Sequence, residues 1–330
     1  MLTMSALDPF IPIAPTSGEA QGASVLFGVA VLVLAAKLFG KLAKRLGQPA
    51  VLGELLVGIL LGNLLPLAHG RSGFEFVRND PTLAVLGQVG ALILLFDVGL
   101  EADLRAMARV GRSALLVATI GVAAPMLLGF AAAAWLLPEL PAIAHVFLGA
   151  SLTATSVGIT ARVLKDLGAA QSLEGQTILG AAVLDDVFGL VILAVVGGIA
   201  TSGKADLAES LAVAPGIMAK AALFLGVAGV GGMLFSERIT RWVGALHEPG
   251  LLLATGLALC FSAAWLAESI GLAAILGAFA AGILLDPYGQ GVRAPNDPHS
   301  LAEMLEPLST IFVPLFFVLT GVQEIGRAHV

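Results

Sequence analysis

The sequence predicts an all-α polytopic membrane protein, because of its composition, its glycine content and the length of its apolar runs. Of the 330 residues, 58% are hydrophobic and 12% are charged, whereas a soluble domain carries about twice that charged fraction. The 40 glycines suit helices that pack closely in a bilayer, where small residues line the contacts. The apolar runs are too long for the strands of a membrane barrel, so each span is expected to be a helix. No nucleic-acid partner is expected.

Ten stretches have the length of about 20 mostly apolar residues that a membrane-spanning helix requires. The connections between them are short and hold most of the charged residues, which leaves no room for a separate soluble domain. One transmembrane unit is therefore expected over residues 22–323, after an N-terminal segment of residues 1–21. A single cysteine, Cys260, cannot build a disulfide framework or a metal cluster, and no cofactor is expected. The predicted spans are roughly 22–40, 50–67, 82–100, 111–137, 143–164, 174–201, 211–235, 250–268, 270–286 and 304–323.

The lysines and arginines predict the orientation of these spans. Twelve of the 17 lie in loops that follow odd-numbered spans or at the adjoining span ends, with groups at Lys37–Arg45, Arg105–Arg112 and Arg162–Lys165. Basic residues are retained on the cytoplasmic side of a membrane. We therefore expect an extracytoplasmic N-terminus in a multi-pass protein of the cell's inner (plasma) membrane.

The second and third predicted spans recur as the ninth and tenth. The matched strings of the second span share one constant offset in sequence number, and the third span recurs at nearly the same offset. The second span runs outward and the ninth runs inward by this count, so the two units have opposite topology. Inverted repeats are typical of secondary transporters, whose binding site lies between the halves near the midplane. The matched strings are Leu52-Gly53 with Leu276-Gly277, Gly58–Leu61 with Gly282–Leu285, and Leu95–Glu101 with Phe317–Gln323.

The second repeat is expected to be cut short. Counterparts of the fourth, fifth and sixth spans should begin at about position 334, beyond the last residue of the sequence. The final residues Ile325–Val330 can be encoded by a common sequencing-adapter sequence. Residues 324–330 are therefore predicted to be a non-native tail, and a natural short variant is the alternative.

Two adjacent carboxylates are predicted in the middle of the membrane. Asp186 follows the start of the sixth predicted span by about 12 residues, or roughly 18 Å of helical rise. An ionised carboxylate at that depth costs ~2.5 kcal/mol or more, so two structural aspartates are disfavoured there. Partial burial favours the protonated form of such a group, and a hard cation can compete with that proton. Asp185 and Asp186 are therefore predicted to bind the ion and the proton.

The preceding span carries four hydroxyl side chains in six residues, followed by Gly158. This cluster predicts a helix that unwinds in the middle of the membrane. Unwound backbone is tolerated there where it lines a cavity, and its carbonyls and helix ends can coordinate cations. Thr153, Thr155 and Ser156 are predicted to be cation ligands at this break. No catalytic residue is expected, and no metal beyond a transported cation.

Four strings together resemble the cation:proton antiporter-2 family over residues 22–323. The resemblance implies an inverted-repeat antiporter fold with broken, crossed helices, here truncated after about ten of about 13 spans. It also implies a homodimer when complete and an elevator-like movement of a core domain. Asp186 would be the ion-binding carboxylate and Asp185 its partner. The strings are Val51–Gly62, Leu94–Glu101, Thr153–Gly168 and Leu184–Leu190.

The aspartate pair favours exchange of sodium for protons, because the glutathione-gated potassium branch of this family typically has Gln-Asp there. A potassium/proton exchanger of the same fold is the alternative, followed by a passive cation channel. An intramembrane aspartic protease is strongly disfavoured, because its carboxylates must face each other from two helices and the sequence lacks the Gly-x-Gly-Asp context. The protein is not expected to be an enzyme. Asp97 is expected to be interfacial and solvated, with a role in the ion pathway as the alternative. Glu54 is either a carboxylate at a helix N-terminus or an ion-pathway residue.

Overall fold

The computed structural model describes residues 17–64, 77, 80–153, 155–202, 214–245, 250–286, 291–293 and 299–325. Most of the predicted N-terminal segment 1–21 and most of the predicted tail 324–330 lie outside these residues, so both stay predictions. The described part contains eleven α-helices and no β-strand. The prediction of an all-α protein is confirmed.

Each predicted span coincides with a helix, and the fifth coincides with two. Within the described residues, seven helices are long and apolar enough to cross a membrane, and α2, α5 and α10 are shorter apolar helices. The helices are α1 (Ser17–Arg45), α2 (Ala50–Leu64), α3 (Pro81–Glu101), α4 (Leu104–Leu136), α5 (Ala142–Ser151), α6 (Val157–Asp166), α7 (Leu173–Ser202), α8 (Ala214–Ala245), α9 (Leu251–Ser269), α10 (Ala274–Leu285) and α11 (Leu301–Ile325).

The predicted break in the fifth span is present between α5 and α6. The cause lies in the hydroxyl side chains, which compete with the backbone for hydrogen bonds. The Thr153 hydroxyl donates to the Ala150 carbonyl at 2.7 Å, in the turn that ends α5. The Ser156 hydroxyl accepts from the Ile159 amide at 3.3 Å and caps the start of α6.

The predicted repeat appears as two matching sets of helix contacts. A β-carbon built on Gly53 of α2 would overlap the Phe39 carbonyl oxygen of α1. A β-carbon built on Gly277 of α10 would overlap the Ala263 carbonyl oxygen of α9 in the same way. Gly277 corresponds to Gly53 and Ala263 to Phe39, both at the constant offset in sequence number that defines the repeat. The pairs α1–α2 and α9–α10 therefore pack alike.

The connections within these pairs also match. Gly47 and Gly271, which are related by the same offset in sequence number, have φ of 73° and 85°. This is a left-handed conformation that glycine adopts without strain. The Gln48 amide donates to the Ala43 carbonyl at 3.0 Å, and the equivalent bond from Leu272 to Ala267 is 2.9 Å. Each is the helix-ending turn in which an amide beyond the glycine reaches back to the last helical turn.

The two units cross each other at paired glycines. The α-carbon of Gly321 in α11 would lie 3.0 Å from a β-carbon on Gly58 of α2. The α-carbon of Gly282 in α10 would lie 3.1 Å from a β-carbon on Gly99 of α3. Any larger side chain would therefore force these helices apart. The crossings α2–α11 and α3–α10 are equivalent, because each joins one repeat to the other.

Helices α3 and α11 show that the repeat is inverted. Gly90 of α3 lies against Phe312 of α11, whereas Gly87, one turn earlier in α3, lies against Leu319, two turns later in α11. The two helices therefore run antiparallel, although they are equivalent in the repeat. We call the six helices α1, α2, α3, α9, α10 and α11 the repeat frame.

Helices α4 to α7 form a second group, called here the site group. Helix α4 packs on α5 and α7, and α7 also contacts α5 and α6. A β-carbon on Gly180 of α7 would lie 3.2 Å from the Ala114 β-carbon of α4, so small residues again allow close contact. Helix α8 packs on both α7 and α10 and connects the two groups.

Asp97 departs from the expectation of a solvated carboxylate. Its side chain is buried near the end of α3, and it forms an ion pair with Lys165 of α6. The expectation failed because the partner lies 68 residues away in sequence, where no local pattern points to it.

The glycine contacts lead to a first testable prediction. Gly277→Ala and Gly53→Ala should each destabilise the protein by about 1–3 kcal/mol, because the added methyl group overpacks a backbone contact. The unfolding midpoint of the detergent-solubilised protein would be measured with increasing temperature and with increasing denaturing detergent.

Gly226→Ala is the matched control, because a β-carbon at Gly226 would meet nothing within 4 Å. That helical substitution should be neutral or slightly stabilising. Unfolding midpoints for Gly53→Ala and Gly277→Ala equal to that of Gly226→Ala would contradict the proposed close approach of the helices.

Candidate cation site

The aspartate pair lies on α7 with an apolar helix surface around it. From Leu173 to Asp186 the helix rises by about 20 Å, which places the pair well inside the span. Asp185 is 8% exposed and Asp186 is half-buried. Their α7 neighbours Val183 and Val187 are buried among other apolar side chains. The two carboxylates point about 100° apart around the helix, so they can meet different partners.

Both carboxylates open into one cavity of about 320 Å³. A liquid water molecule occupies about 30 Å³, so the space is sufficient for a cation with part of its hydration shell. The polar side chains of the wall are two carboxylates and three hydroxyls, and the rest of the wall is apolar. The wall is formed by Phe147, Ala150, Ser151, Thr153, Thr155, Asp185, Asp186, Gly189, Leu190, Ile192, Val196, Ala273 and Ile275.

Each hydroxyl of the cavity wall donates its proton to a backbone carbonyl. The Thr155 hydroxyl donates to the Thr153 carbonyl at 3.2 Å, and the Ser151 hydroxyl donates to the Phe147 carbonyl at 2.6 Å. The Thr153 hydroxyl likewise gives its proton to a carbonyl. A hydroxyl that donates its proton to the backbone keeps its lone pairs for another partner. These oxygens can therefore accept a cation.

The end of α5 adds a further attraction for positive charge. Phe147, Ala150 and Ser151, all in the last two turns of α5, form part of the cavity wall. The carbonyl end of a helix carries a partial negative charge of about half an electron. Because the helix stops at the cavity instead of crossing the membrane, this charge is directed at the space beside Asp185 and Asp186.

Ser156 occupies a different position from the other predicted ligands. Its hydroxyl accepts the Ile159 amide and caps α6, and its side chain is not part of the cavity wall. The structure thus brings together Asp185, Asp186, Thr153 and Thr155, while Ser156 lies beside them in the break.

The electrostatic state of the site follows from what surrounds the carboxylates. Within the described ranges, no lysine or arginine pairs with Asp185 or Asp186, and the cavity wall contains no basic side chain. Two carboxylates in a mostly apolar cavity cannot both remain ionised and uncompensated without a large free-energy cost. The site is therefore suited to hold a cation, a proton or both.

The sequence did not predict most residues of the cavity wall, and three of them are instructive. Ser151 was recognised as part of the hydroxyl cluster but was not assigned as a ligand. Ala273 and Ile275, at the start of α10, bring the repeat frame into the wall. Two apolar residues carry no signal of a polar site, and only their position across the cavity from α5 and α7 reveals them.

Comparison with known proteins agrees with this arrangement. The family model described as sodium/hydrogen exchanger, transmembrane, matches residues 29–324. The high-affinity Na(+)/H(+) antiporter NhaS3 of Synechocystis is 34% identical in an alignment of 348 positions, gaps included, which covers 96% of this chain and 73% of that protein. The Na(+)/H(+)-K(+) antiporter GerN of Bacillus cereus is 35% identical over 297 residues, covering 89% of this chain and 70% of GerN. An Na(+)/H(+) antiporter of Enterococcus hirae is 31% identical, with coverage of 90% and 72%.

A solved structure has the same fold. The sodium proton antiporter MjNhaP1 of Methanocaldococcus jannaschii at pH 8 matches with a TM-score of 0.56 and 17% identity, over 92% of this chain and 72% of that one. The predicted resemblance to cation:proton antiporters is confirmed. The inverted repeat, the broken span, the carboxylate pair and a family match over residues 29–324 lead to one assignment: the chain belongs to the sodium/hydrogen exchanger family of multi-pass membrane proteins.

Proposed function

We propose that the protein exchanges a monovalent cation, with sodium preferred, for protons across the membrane, and that Asp185 and Asp186 hold the transported species. The observation that carries this proposal is the cavity in which two carboxylates, without a basic partner among the described residues, meet the hydroxyls of a broken helix. Relatives named as Na(+)/H(+) antiporters support a transporter and not an enzyme.

Coupling follows from the cost of an uncompensated charge in the membrane. A site with an empty, ionised carboxylate is expensive to move through hydrocarbon or to enclose away from water. The same site is inexpensive to move when a proton or a cation neutralises Asp186. Proton and cation compete for one carboxylate. After the site releases one of them at one face of the membrane, it must bind the other before it can move back, so the exchange of cation for proton is obligatory.

The ligand set favours a hard cation. Carboxylate, hydroxyl and carbonyl oxygens suit metal ions that prefer oxygen donors. We propose Asp185, Asp186, Thr153 and Thr155 as ligands, with Ser156 acting through its cap on α6. Potassium is the second candidate, because GerN is named as an Na(+)/H(+)-K(+) antiporter.

We also propose that the N-terminus is extracytoplasmic and that the protein lies in the plasma membrane. The packing supports this orientation, because basic segments converge at one end of the molecule. The Ala50 amide at the start of α2 donates to Asp166 at the end of α6, and Lys165 pairs with Glu101 at the end of α3. Retention of basic residues inside would make this the cytoplasmic end. A homodimer remains a proposal from the family resemblance.

The overall proposal is tested with a pH-sensitive dye in everted vesicles from cells that produce the intact gene product. Sodium, lithium, potassium and rubidium would be added in turn. Sodium should dissipate the proton gradient at the lowest concentration. Dissipation by potassium alone would favour the second candidate, and cation flux without proton movement would favour a passive channel and contradict exchange.

The carboxylates give a prediction of their own. Asp186→Asn should abolish exchange, because an amide neither titrates nor replaces a carboxylate ligand. Asp185→Asn should retain exchange with a changed pH dependence. Glu237→Gln is the control, since the Glu237 side chain is 89% exposed on α8 and its loss should leave exchange unchanged. Robust coupled exchange by Asp186→Asn would remove the proposed mechanism.

The hydroxyl of Thr155 gives a further prediction. Thr155→Val keeps the shape of the side chain and removes the oxygen, so the KM for sodium should rise by about tenfold, as expected for one interaction with a charged group. Thr155→Ser retains the oxygen and should restore most of the affinity. The KM would be read from dye dequenching against sodium concentration, and equal KM values for Thr155→Val and Thr155→Ser would show that the hydroxyl is not a ligand.

A further inference from the structure

The site group meets the repeat frame mainly through one short helix. Among the described residues of α4 to α7, those of α6 make the most direct contacts with the frame, on α2 and α3. Gly158 in its first turn packs against Phe316 and Leu94. Because α6 continues directly from the break that holds Thr153 and Thr155, whatever holds α6 also sets the position of the cation site.

Polar contacts connect the C-terminal end of α6 to the repeat frame. Lys165 forms ion pairs with two carboxylates of α3, Asp97 and Glu101, and the Glu101 contact is 2.9 Å. Asp166 accepts the first amide of α2 at 3.2 Å. Arg162 lies 4.0 Å from Glu54 of α2. All these contacts lie on one side of the break, within the last two turns of α6.

Two carboxylates of this cluster are desolvated, and not all of its polar atoms are hydrogen-bonded. The side chains of Asp97 and Glu54 are 7% and 3% exposed. One Glu54 oxygen and the Arg162 Nε are buried without a hydrogen-bond partner. The Arg162 Nε lies 3.4 Å from the Asp166 Oδ1, so it is ion-paired without hydrogen-bond geometry, whereas the Glu54 oxygen has no hydrogen-bond partner among the described residues. The Lys165 contacts are therefore the tight part of the cluster, and the Arg162 contacts are the loose part.

The fold itself does not require these acidic residues. The repeat places Leu319 at the position of Asp97, Gln323 at that of Glu101 and Ala278 at that of Glu54. The second repeat builds the same crossings without any of the three carboxylates. Their presence in the first repeat alone points to a task beyond packing.

The cation cavity extends away from this cluster. Along α7 the cavity wall runs from Asp185 to Val196, away from the helix start that follows α6. Along the broken span it runs from Phe147 to Thr155, before α6 begins. The cluster lies beyond the break, at residues 162–166. The cavity is thus directed to one face of the molecule, and the ion pairs lie toward the other.

We propose that Lys165, paired with Asp97 and Glu101, is a latch that keeps the cation site open to the cavity face and closed to the face of the basic loops. This proposal rests on the proposed exchange function, because an exchanger must present its site to both faces in turn. Release to the basic-loop face then requires Lys165 to leave the two carboxylates. Lys165 is a positioning residue, since it acts on the ion only through α6.

The latch is tested by labelling that does not depend on transport. Cys260→Ala removes the single cysteine, and Gly189→Cys places a reporter in the cavity wall, where a β-carbon meets nothing within 4 Å. A charged, membrane-impermeant thiosulfonate is added to either face of oriented vesicles. Leu46→Cys, 70% exposed in the turn before α2, is the separate reference that identifies the basic-loop face.

With the latch intact, Gly189→Cys should react from the face opposite to Leu46→Cys. The double variant Lys165→Met with Asp97→Leu replaces the pair by apolar residues, which is often neutral for folding. It should shift the ratio of labelling rates toward the basic-loop face by about tenfold, the order expected for loss of a close ion pair. The control is the double variant Glu237→Gln with Arg241→Met, which removes an exposed ion pair of α8 and should not shift the ratio of labelling rates. An unchanged ratio in the Lys165 variant would overturn the latch.

A cross-link distinguishes a contact that must break during transport from one that only stabilises the fold. The side chains of Lys165 and Glu101 are 36% and 30% exposed, so a reagent can reach both. Lys165→Cys with Glu101→Cys, in the Cys260→Ala background, would be bridged by a reducible bifunctional thiosulfonate. Exchange should stop on bridging and return on reduction. Exchange that continues at its earlier rate after bridging would overturn the proposal, and folding is verified on the same sample before bridging.

Failure of the proposed exchange function and failure of the latch give different experimental results. A protein that changes its labelling as expected but exchanges no cation for protons contradicts the proposed function and not the latch. A protein that exchanges cations normally, with labelling unmoved by loss of Lys165, contradicts only the latch.

Discussion

The close approach of helix backbones at glycine pairs is the constraint on which the rest of the structure depends. Gly58 with Gly321 and Gly99 with Gly282 bring α-carbons of the two repeats together, and no larger residue fits these crossings. In a bilayer such packing replaces the hydrophobic effect as the force between helices. It fixes the repeat frame by van der Waals contact alone, so polar residues are free for other tasks. The site group is then placed against a rigid surface.

Two groups of carboxylates inside the protein differ in how their negative charge is compensated. Asp97 is buried beside Lys165, and Asp166 pairs with Arg162, so their charges are compensated within the chain. Asp185 and Asp186 have no such partner in the described structure and face a cavity. A compensated charge holds helices together, whereas an uncompensated one beside a cavity needs a mobile ion. This difference separates the residues that we assign to transport from those that we assign to positioning.

Features encoded within one short segment were predictable from the sequence. The spans follow from apolar length, the break between α5 and α6 from four clustered hydroxyls, and the aspartate pair from its depth in α7. The inverted repeat was predictable because its glycines keep a constant offset, and the contacts of Gly53 and Gly277 reproduce that offset. What failed depends on distant partners. Asp97 was expected in solvent because Lys165 is remote in sequence, and Ala273 enters the cavity wall only through helix packing.

The break in the fifth span connects the chemistry of the site to the mechanics of the molecule. A continuous helix at this place would satisfy its own carbonyls and keep its hydroxyls on one rigid rod. Division into α5 and α6 ends one helix dipole at the cavity, where it attracts a cation, and gives α6 a separate attachment at Lys165. Helix α5 is held by α4 and α7, whereas α6 contacts α7 and also contacts α2 and α3 of the repeat frame. Movement of α6 relative to the frame therefore changes access to Thr153 and Thr155 without breaking a helix, because the chain is already unwound between them.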